Sequence, residues 1–216
     1  MSQPPMSQPP SRRGAIVLLG PTGSGKTPLG NLIERRGLWG AQCLHFDFGA
    51  CLRSIVEQDR PDAWLGREEI DFLKEVLRSG ALLEDERFYV AQRVLGQFVA
   101  ERGADPQAVI VLNGLPRHVG QAEALGVILD VDAVISLDCP AETVSARIRG
   151  NVGGDRTGRE DDDPQSLARR LAVFAARTTP LVDHYRACGA AIKTIRVTAE
   201  MTADAMCELL ERGHEA

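Results

Sequence analysis

Lysine, aromatic residues and paired cysteines are all scarce in this chain. Of its 25 basic residues, 22 are arginine, which leaves only Lys26, Lys74 and Lys193. The 30 acidic residues give a net charge of −5, whereas a general nucleic-acid-binding surface needs a basic excess, so that role is disfavoured. The bias toward arginine is typical of codon usage in a GC-rich genome, although arginine also offers phosphate a planar, bidentate fork that lysine lacks.

Long apolar runs and cysteine motifs are missing as well. No uninterrupted apolar stretch approaches the roughly 18 residues that a membrane span needs. The segment 1–11 lacks the apolar core of a signal peptide. The five cysteines are widely scattered without a CxxC pair, which argues against a zinc ribbon and a disulfide framework. We therefore expect reduced thiols in a cytoplasmic protein with no membrane partner.

The chain divides into a short tail and one folded unit. Residues 1–10 are the pentapeptide MSQPP written twice, and this composition predicts a disordered tail over residues 1–12. Residues 13–216 are predicted to form a single domain, because a 216-residue chain with 44% hydrophobic residues can bury a sizeable core. Nothing in the sequence suggests an obligate interface, so we expect a monomer.

Short β-rich runs alternate with helical patterns along the folded part. The strands are predicted at residues 15–19, 42–46, 109–112, 133–137 and 191–197. The first, third and fourth are nearly continuous apolar stretches, as expected for strands buried on both faces of a parallel sheet. The alternation predicts an α/β fold with a doubly wound, parallel five-stranded sheet.

Two segments interrupt this alternation. The second and third strands are separated by far more residues than one crossover needs, and helical spacing there predicts a helical insert over about 47–100. The glycine-rich, charged segment 150–163 predicts a mobile loop. Asp163 and Pro164 then have the pattern of a helix N-cap followed by proline at the first helical position. Pro180 is expected to kink or divide that helix.

The segment GPTGSGKT, after the first strand and before a helix, fits the P-loop pattern G-x-x-x-x-G-K-[ST]. Lys26 is expected to reach the β- and γ-phosphates of a nucleotide, and the Thr27 hydroxyl to bind Mg²⁺. The sequence therefore predicts ATP and Mg²⁺ as cofactors. Glycines let the backbone N–H groups turn inward around phosphate, and the predicted contacts are Gly20, Gly23, Ser24, Gly25, Lys26 and Thr27.

Five further motifs follow the P-loop in order. They are GACLR, NGLPR, QAEAL, GREDD and RRL, at residues 49–53, 113–117, 121–125, 158–162 and 169–171. In this order and spacing the chain, from about residue 13 to 211, resembles adenylate kinase and related nucleoside monophosphate kinases of the short-lid, zinc-free type. The resemblance implies a P-loop NTPase-type fold with a monophosphate-binding insert and a lid at 150–163. It also implies phosphoryl transfer from ATP–Mg²⁺ to a nucleoside monophosphate, giving two diphosphates.

The resemblance assigns roles to individual residues and implies small-molecule nucleotides as the binding partners. By motif, the catalytic residues would be Lys26, Arg117, Arg159 and Arg170, and Arg147 with Arg159 would bind the donor. Gln121 stands where adenylate kinases read the adenine of AMP, which favours AMP over CMP or UMP. The residues that would bind the acceptor are Gly49, Arg53, Leu82, Gly114, Arg117, Gln121 and Arg170.

Helical spacing offers a test that does not depend on the family. At about 100° per residue, Arg170 flanks the apolar stripe of its helix, whereas Arg169 faces away. Arg147 likewise lies beside apolar positions of the preceding helix. A cation next to an apolar stripe needs an anionic partner, so we expect Arg147 and Arg170 to meet phosphate or, alternatively, carboxylates of the loop 150–163.

Four positions depart from the family pattern. Asn113 stands where an aspartate usually holds Mg²⁺ through water, Ala50 replaces a second aspartate, and Asp47 and Phe48 stand where serine and threonine are typical. Asp47 could restore a carboxylate near Mg²⁺. Three hypotheses stay open: an active monophosphate kinase, a low-activity nucleotide-binding or sensing module, and a kinase for CMP, UMP or a small metabolite whose hydroxyls Asp47 would bind.

Overall fold

The computed structural model describes residues 12–61, 64–80, 83–103, 105–155 and 163–213, so nearly all of the predicted tail lies outside the described residues. The described part contains a sheet of five strands: β1 Arg13–Leu19, β2 Cys43–Asp47, β3 Val109–Asn113, β4 Leu129–Asp138 and β5 Ala191–Arg196. All neighbouring strands run parallel, in the spatial order β2–β3–β1–β4–β5. The predicted fold, a doubly wound parallel five-stranded sheet, is confirmed.

Helices follow each strand and fill the insert. The α-helices of the described residues are α1 Lys26–Arg36, α2 Phe48–Gln58, α3 Arg67–Ser79, α4 Phe88–Glu101, α5 Val119–Leu125, α6 Ala141–Gly150, α7 Pro164–Val173, α8 Leu181–Ala187 and α9 Ala203–Arg212. A 3₁₀ turn, Asp85–Arg87, precedes α4, and a π-helical segment, Phe174–Thr178, precedes Pro180 and α8. Within the described ranges, no helix combines the length and apolar character that crossing a bilayer requires.

The central strand β1 is buried on both faces. Ala15 and Val17 belong to a core cluster covered by α2–α5 and α8, whereas Ile16 and Leu18 belong to a second cluster covered by α1, α6 and α9. Successive side chains of a strand point to opposite faces, so a continuous apolar run serves two helical layers. Each fully buried aliphatic side chain stabilises the fold by about 1.5–3 kcal/mol relative to exposure.

Two strand boundaries differ from the prediction. β4 begins at Leu129, before the predicted position 133. Ala15 pairs with Val131 and Ile16 with Ala133, so Asp132 is an extra residue at a β-bulge and interrupts the apolar pattern. β2 ends at Asp47 rather than at position 46, and α2 begins at the next residue. This helix lies within the helical insert predicted over about 47–100, although its own apolar spacing was not singled out from the sequence.

Predicted helices elsewhere agree with the structure. The apolar spacing of the insert corresponds to α3 and α4. Asp163 caps α7 by accepting hydrogen bonds from the backbone N–H groups of Gln165 and Ser166, each at 3.0 Å, and Pro164 occupies the first helical position. Pro180 separates the π-helical segment from α8, which confirms the division of this helical region.

Candidate active site

The P-loop joins the central strand β1 to helix α1. Gly20 follows the last residue of β1, and α1 begins at Lys26. Gly23 and Gly25 have φ angles of +76° and +101°, a left-handed conformation that other residues rarely adopt. Gly25 is the N-cap of α1 and offers no capping side chain, so the first N–H groups of the helix are directed toward the loop. Such a loop can hold an anion through backbone N–H groups and the positive end of the helix.

Lys26 folds back over the loop that precedes it. Its Nζ donates to the carbonyl oxygen of Gly20 at 2.6 Å and to that of Pro21 at 2.8 Å. The side chain lines the same cleft as Thr27, whereas Ser24 is completely buried. The ammonium charge of Lys26 therefore lies at the loop, where it can neutralise a phosphate.

Arg147 of α6 forms hydrogen bonds with the P-loop and with the segment after β5. Its Nε donates to the Gly23 carbonyl at 3.2 Å, while Nη1 donates to the carbonyls of Thr198 at 2.8 Å, Ala199 at 3.3 Å and Met201 at 2.7 Å. The residue is only 3% exposed, and burial lowers the pKa of its guanidinium. These hydrogen bonds join the P-loop to the segment after β5. The contact with the donor nucleotide that the resemblance implies for Arg147 stays a prediction.

Three polar side chains meet where β2 and β3 end. Asp47 and Asn113 are the last residues of these strands and pair in register. Thr27 Oγ1 donates to Asp47 Oδ2 at 2.6 Å, and Asn113 Nδ2 donates to the same oxygen at 2.8 Å and to Thr27 Oγ1 at 3.1 Å. The other carboxylate oxygen, Asp47 Oδ1, accepts from the backbone N–H of Ala50 at 2.9 Å and caps α2. The carboxylate therefore contacts the P-loop threonine and the helix of the insert.

Buried His45 contacts this cluster at Asn113, and it was not assigned a role from the sequence. Its Nδ1 lies 2.8 Å from Asn31 Oδ1, and its Nε2 lies 3.4 Å from Asn113 Nδ2. Burial lowers the pKa of His45. A neutral ring that donates from Nδ1 and accepts at Nε2 satisfies both contacts. The sequence signal was the position of His45 on a predicted strand. Its contact with Asn113 could not be predicted, because that contact depends on the pairing register of β2 and β3.

Arginines from three elements line one cleft with the P-loop. Arg53 extends from α2, Arg117 from the loop after β3 and Arg170 from α7, around a cavity of about 250 Å³ that Lys26 also lines. Burial, and then the neighbouring charge of Arg170, lower the pKa of Arg117. Among the described residues, neither Arg53 nor Arg117 forms an ion pair with a carboxylate. A cleft with this concentration of cationic charge is suited to an anionic ligand.

The predicted facing of the two α7 arginines is confirmed, whereas the phosphate or carboxylate partner expected of Arg170 stays a prediction. Arg170 is half-buried and lines the cleft, and its Nη1 lies 3.5 Å from Thr22 Oγ1 of the P-loop, whereas Arg169 is exposed. Leu167 and Leu171 pack against the core on the same side of the helix. The helical spacing thus separated the two arginines correctly.

Gln121 lines the cleft, and both ends of its amide also contact the protein. Its Oε1 accepts from the backbone N–H of Arg117 at 2.7 Å, and its Nε2 donates to the Leu83 carbonyl at 2.8 Å. His118 Nε2 lies 3.2 Å from the same carbonyl. These bonds join the arginine loop to the insert. The base-reading role expected of Gln121 stays a prediction.

The π-helical segment contacts both the arginine loop and the insert. Thr178 Oγ1 donates to the Arg117 carbonyl at 2.8 Å. Arg177 forms an ion pair with Glu84, with Nη2 3.2 Å from Oε2, and both side chains remain partly exposed. Neither contact was predicted, because both depend on how the chain after α7 packs across the cleft.

Several predicted site residues can be placed and others cannot. Gly49 and Gly114 line the cleft, and their acceptor-binding role stays a prediction. Arg159 and Leu82 lie outside the described residues, as does 156–162, the larger part of the predicted lid. Their expected roles stay predictions.

A P-loop on the central strand of a parallel sheet, in one cleft with arginines from three elements, defines a P-loop phosphotransferase. The family model described as adenylate kinase matches residues 18–190, and the chain belongs to the adenylate kinase family. It is a nucleoside monophosphate kinase, which transfers a phosphoryl group from ATP to a nucleoside monophosphate.

Relatives named adenylate kinase match nearly the whole chain. That of Xanthomonas campestris pv. campestris (strain 8004) is 36% identical over 208 residues, which are 93% of this chain and 97% of the relative. That of Xanthomonas oryzae pv. oryzae (strain MAFF 311018) is 34% identical over 207 residues, with the same two shares of 93% and 97%. Among solved structures, a gluconokinase from Sinorhizobium meliloti 1021 covers 94% of this chain and 93% of its own, with a TM-score of 0.52 and 18% identity. That likeness shows a shared fold alone.

Proposed function

We propose that this enzyme phosphorylates AMP with ATP and Mg²⁺ and forms two molecules of ADP. The observation that carries the proposal is the convergence of Arg53, Arg117 and Arg170 on the cleft of the P-loop. A monophosphate acceptor is already an anionic nucleophile, so the reaction needs positioning and charge neutralisation rather than a strong general base. Arginine forks supply both.

The donor nucleotide would lie on the P-loop. Backbone N–H groups of residues 20–27 would hold its phosphates, and Lys26 would neutralise charge on the β- and γ-phosphates. Arg170, which reaches the P-loop at Thr22, would stabilise the phosphoryl group during transfer. Arg159 would close over the donor from the lid. Arg147 would act through the loop, by keeping the Gly23 carbonyl fixed.

The acceptor would occupy the part of the cleft next to the insert. Arg53 and Arg117 would hold its phosphate, with Gly49 and Gly114 beside them. Each polar atom of the Gln121 amide makes one described hydrogen bond and retains capacity for a second, the oxygen as acceptor and the nitrogen as donor. The amide oxygen can accept from the amino group of adenine while the amide nitrogen donates to a ring nitrogen, which supports AMP as the acceptor.

The residues at the ends of β2 and β3 fit Mg²⁺. The ion prefers oxygen ligands and is usually held by one or two carboxylates together with substrate phosphates. The Thr27 hydroxyl and the Asp47 carboxylate lie side by side in the cleft, and Asn113 is close enough to hold a coordinated water. When bound, Mg²⁺ offsets the negative charge of the nucleotide phosphates.

One observation favours a second candidate. Asp47 lines the cleft at the end of β2, and a carboxylate there can accept hydrogen bonds from substrate hydroxyls. The acceptor would then be a small polyhydroxylated metabolite instead of a nucleotide.

We further propose that the enzyme acts as a monomer and that it acts in the cytoplasm. Its five cysteines are free thiols, which suit a reducing compartment.

A coupled assay for diphosphate formation tests the proposal. Wild-type enzyme with ATP–Mg²⁺ is offered AMP, GMP, CMP, UMP and small polyols, with Lys26→Ala as the inactive background. We expect kcat/KM for AMP to exceed that for the other acceptors by about 100-fold. No diphosphate from any nucleotide, together with tight binding of a bisubstrate dinucleotide, would identify a binding module; turnover of a polyol alone would establish the second candidate.

A further inference from the structure

We propose that Asp47, and not Asn113, supplies the carboxylate that holds the divalent cation, and that this carboxylate couples the cation to the acceptor-binding helix α2. The role rests on the proposed function, because it concerns the cation and the acceptor of that reaction. Asp47 and Asn113 end adjacent parallel strands in register, so their side chains leave the sheet at neighbouring points. Relative to the family pattern, the carboxylate therefore stands at the end of β2 instead of the end of β3.

The hydrogen bonds assign different tasks to the two residues. Asn113 Nδ2 is a donor to Asp47 Oδ2 at 2.8 Å and lies 3.4 Å from His45 Nε2, so its amide nitrogen faces the carboxylate. Thr27 Oγ1, at 2.6 Å, is the second donor to Asp47 Oδ2. An aspartate at position 113 in place of the asparagine would bring two carboxylates together, and like charges at this distance disfavour each other. The pair therefore has room for one carboxylate and one amide.

The second carboxylate oxygen extends the effect to the acceptor side. Asp47 Oδ1 accepts from the backbone N–H of Ala50 at 2.9 Å and caps α2. That helix carries Gly49 and Arg53, which both line the cleft. A single side chain thus contacts the P-loop threonine through one oxygen and sets the start of the acceptor helix through the other. Its loss should weaken both cation and acceptor binding.

Four variants separate these two effects. Asp47→Asn removes the charge and keeps a good N-cap, because asparagine caps helices about as well as aspartate, whereas Asp47→Ala removes both. The exchange Asp47→Asn with Asn113→Asp restores one carboxylate and one amide. Asp138→Asn is the matched control, since Asp138 is an exposed carboxylate at the same end of the sheet, on β4, outside the P-loop cleft.

Binding, rather than turnover, is the primary measurement. Mn²⁺ binding to each protein with a non-hydrolysable ATP analogue is followed by electron paramagnetic resonance, and AMP binding without divalent cation by calorimetry. We expect Asp47→Asn and Asp47→Ala to weaken Mn²⁺ binding at least tenfold, the exchange to return it to within threefold of wild type, and Asp138→Asn to change nothing. AMP binding should weaken about fivefold in Asp47→Ala and remain within twofold in Asp47→Asn.

The outcomes distinguish this role from the proposed function. Unchanged Mn²⁺ binding in Asp47→Asn, or an exchange variant no better than Asp47→Asn, would overturn the role even if wild-type enzyme phosphorylates AMP. Loss of AMP binding in Asp47→Asn with intact Mn²⁺ binding would also overturn it and assign Asp47 to the acceptor. Absence of AMP phosphorylation by the wild type would instead refute the proposed function, while the Mn²⁺ measurements would still decide the role of Asp47. Circular dichroism verifies that each variant is folded.

Discussion

Arg117, which we propose binds the acceptor phosphate, illustrates how such a residue can oppose stability. It is a partly buried cation whose pKa is lowered by burial and by Arg170, and the described residues offer it no carboxylate. Arg117→Met should lower kcat/KM for AMP by at least about 100-fold, because a charged contact to the acceptor phosphate is lost. The free energy of unfolding of the ligand-free protein should stay equal or rise by about 1 kcal/mol, because a desolvated charge is removed.

Urea denaturation and steady-state kinetics check both halves of this prediction. Arg149→Met is a suitable control, because Arg149 is exposed on α6 and does not line the cleft. A variant at position 117 that is markedly less stable than the control would show that Arg117 has a structural role instead.

Arg147 presents the opposite case, a charged residue used for structure. Arg147→Ala would leave the carbonyls of Gly23 and Thr198 without their buried donor. We expect the free energy of unfolding to fall by about 2–4 kcal/mol, measured in urea, and KM for ATP to rise because the P-loop is released. Arg149→Ala, on the same helix, should cost less than about 0.5 kcal/mol. Comparable losses in the two variants would contradict this structural role of Arg147.

At the scale of elements, α7 allows a direct test of helix facing. Arg170 lines the cleft and Arg169 is exposed, although the two residues are adjacent in the chain. Arg170→Ala should therefore lower kcat/KM about 100-fold or more, and Arg169→Ala should leave it within twofold. The same assay and the same helix serve both variants, so equal losses would refute the assignment.

The elements that periodicity predicted are those whose apolar faces reach the core. α3 and α4 were predicted because their apolar residues recur at helical spacing, and the first, third and fourth strands because they are nearly continuous apolar runs. The start of α2 within the predicted insert was not located, because this helix begins without a turn directly after β2 and its cap Asp47 also belongs to the strand. The bulge at Asp132 was missed because pairing register is set by the neighbouring strand.

The candidate site was predictable to the extent that it consists of local motifs. The glycines and Lys26 of the P-loop could be identified from spacing alone, and the facing of Arg170 followed from helical geometry. The partners of Arg147 are backbone carbonyls of distant segments, which no side-chain pattern reveals. The contact of Asp47 with Asn113 likewise depends on strand order, which places the second and third strands side by side.

At the scale of the whole molecule, the cysteines should differ widely in reactivity. Cys188 is exposed at the end of α8, whereas Cys43, Cys139 and Cys207 are buried, and burial, aided by Asp47, raises the pKa of Cys51 to about 11. Only the thiolate attacks, so a raised pKa and burial both slow the reaction. With an aromatic disulfide reagent at pH 7.5, we expect one thiol to react quickly and the others only after unfolding. Cys188→Ser should remove the fast phase; a fast phase that persists would contradict this order.

The charge of the molecule as a whole differs in sign from that of its cleft. The chain carries a net charge of −5, yet Lys26, Arg53, Arg117 and Arg170 all line one cavity. Cationic clefts concentrate small anions locally, while a net negative surface disfavours large polyanions. This combination suits a nucleotide substrate better than a nucleic acid.

The ion pair between Arg177 and Glu84 has a consequence for the passage of molecules through the cleft. It joins the π-helical segment to the chain just before the 3₁₀ turn of the insert, so any outward movement of the insert there separates the two charges. Both side chains are partly exposed, and salt weakens such a pair over a Debye length of about 8 Å at physiological ionic strength. We therefore expect dilute buffer to prolong the residence of the nucleotide product without altering the transfer step.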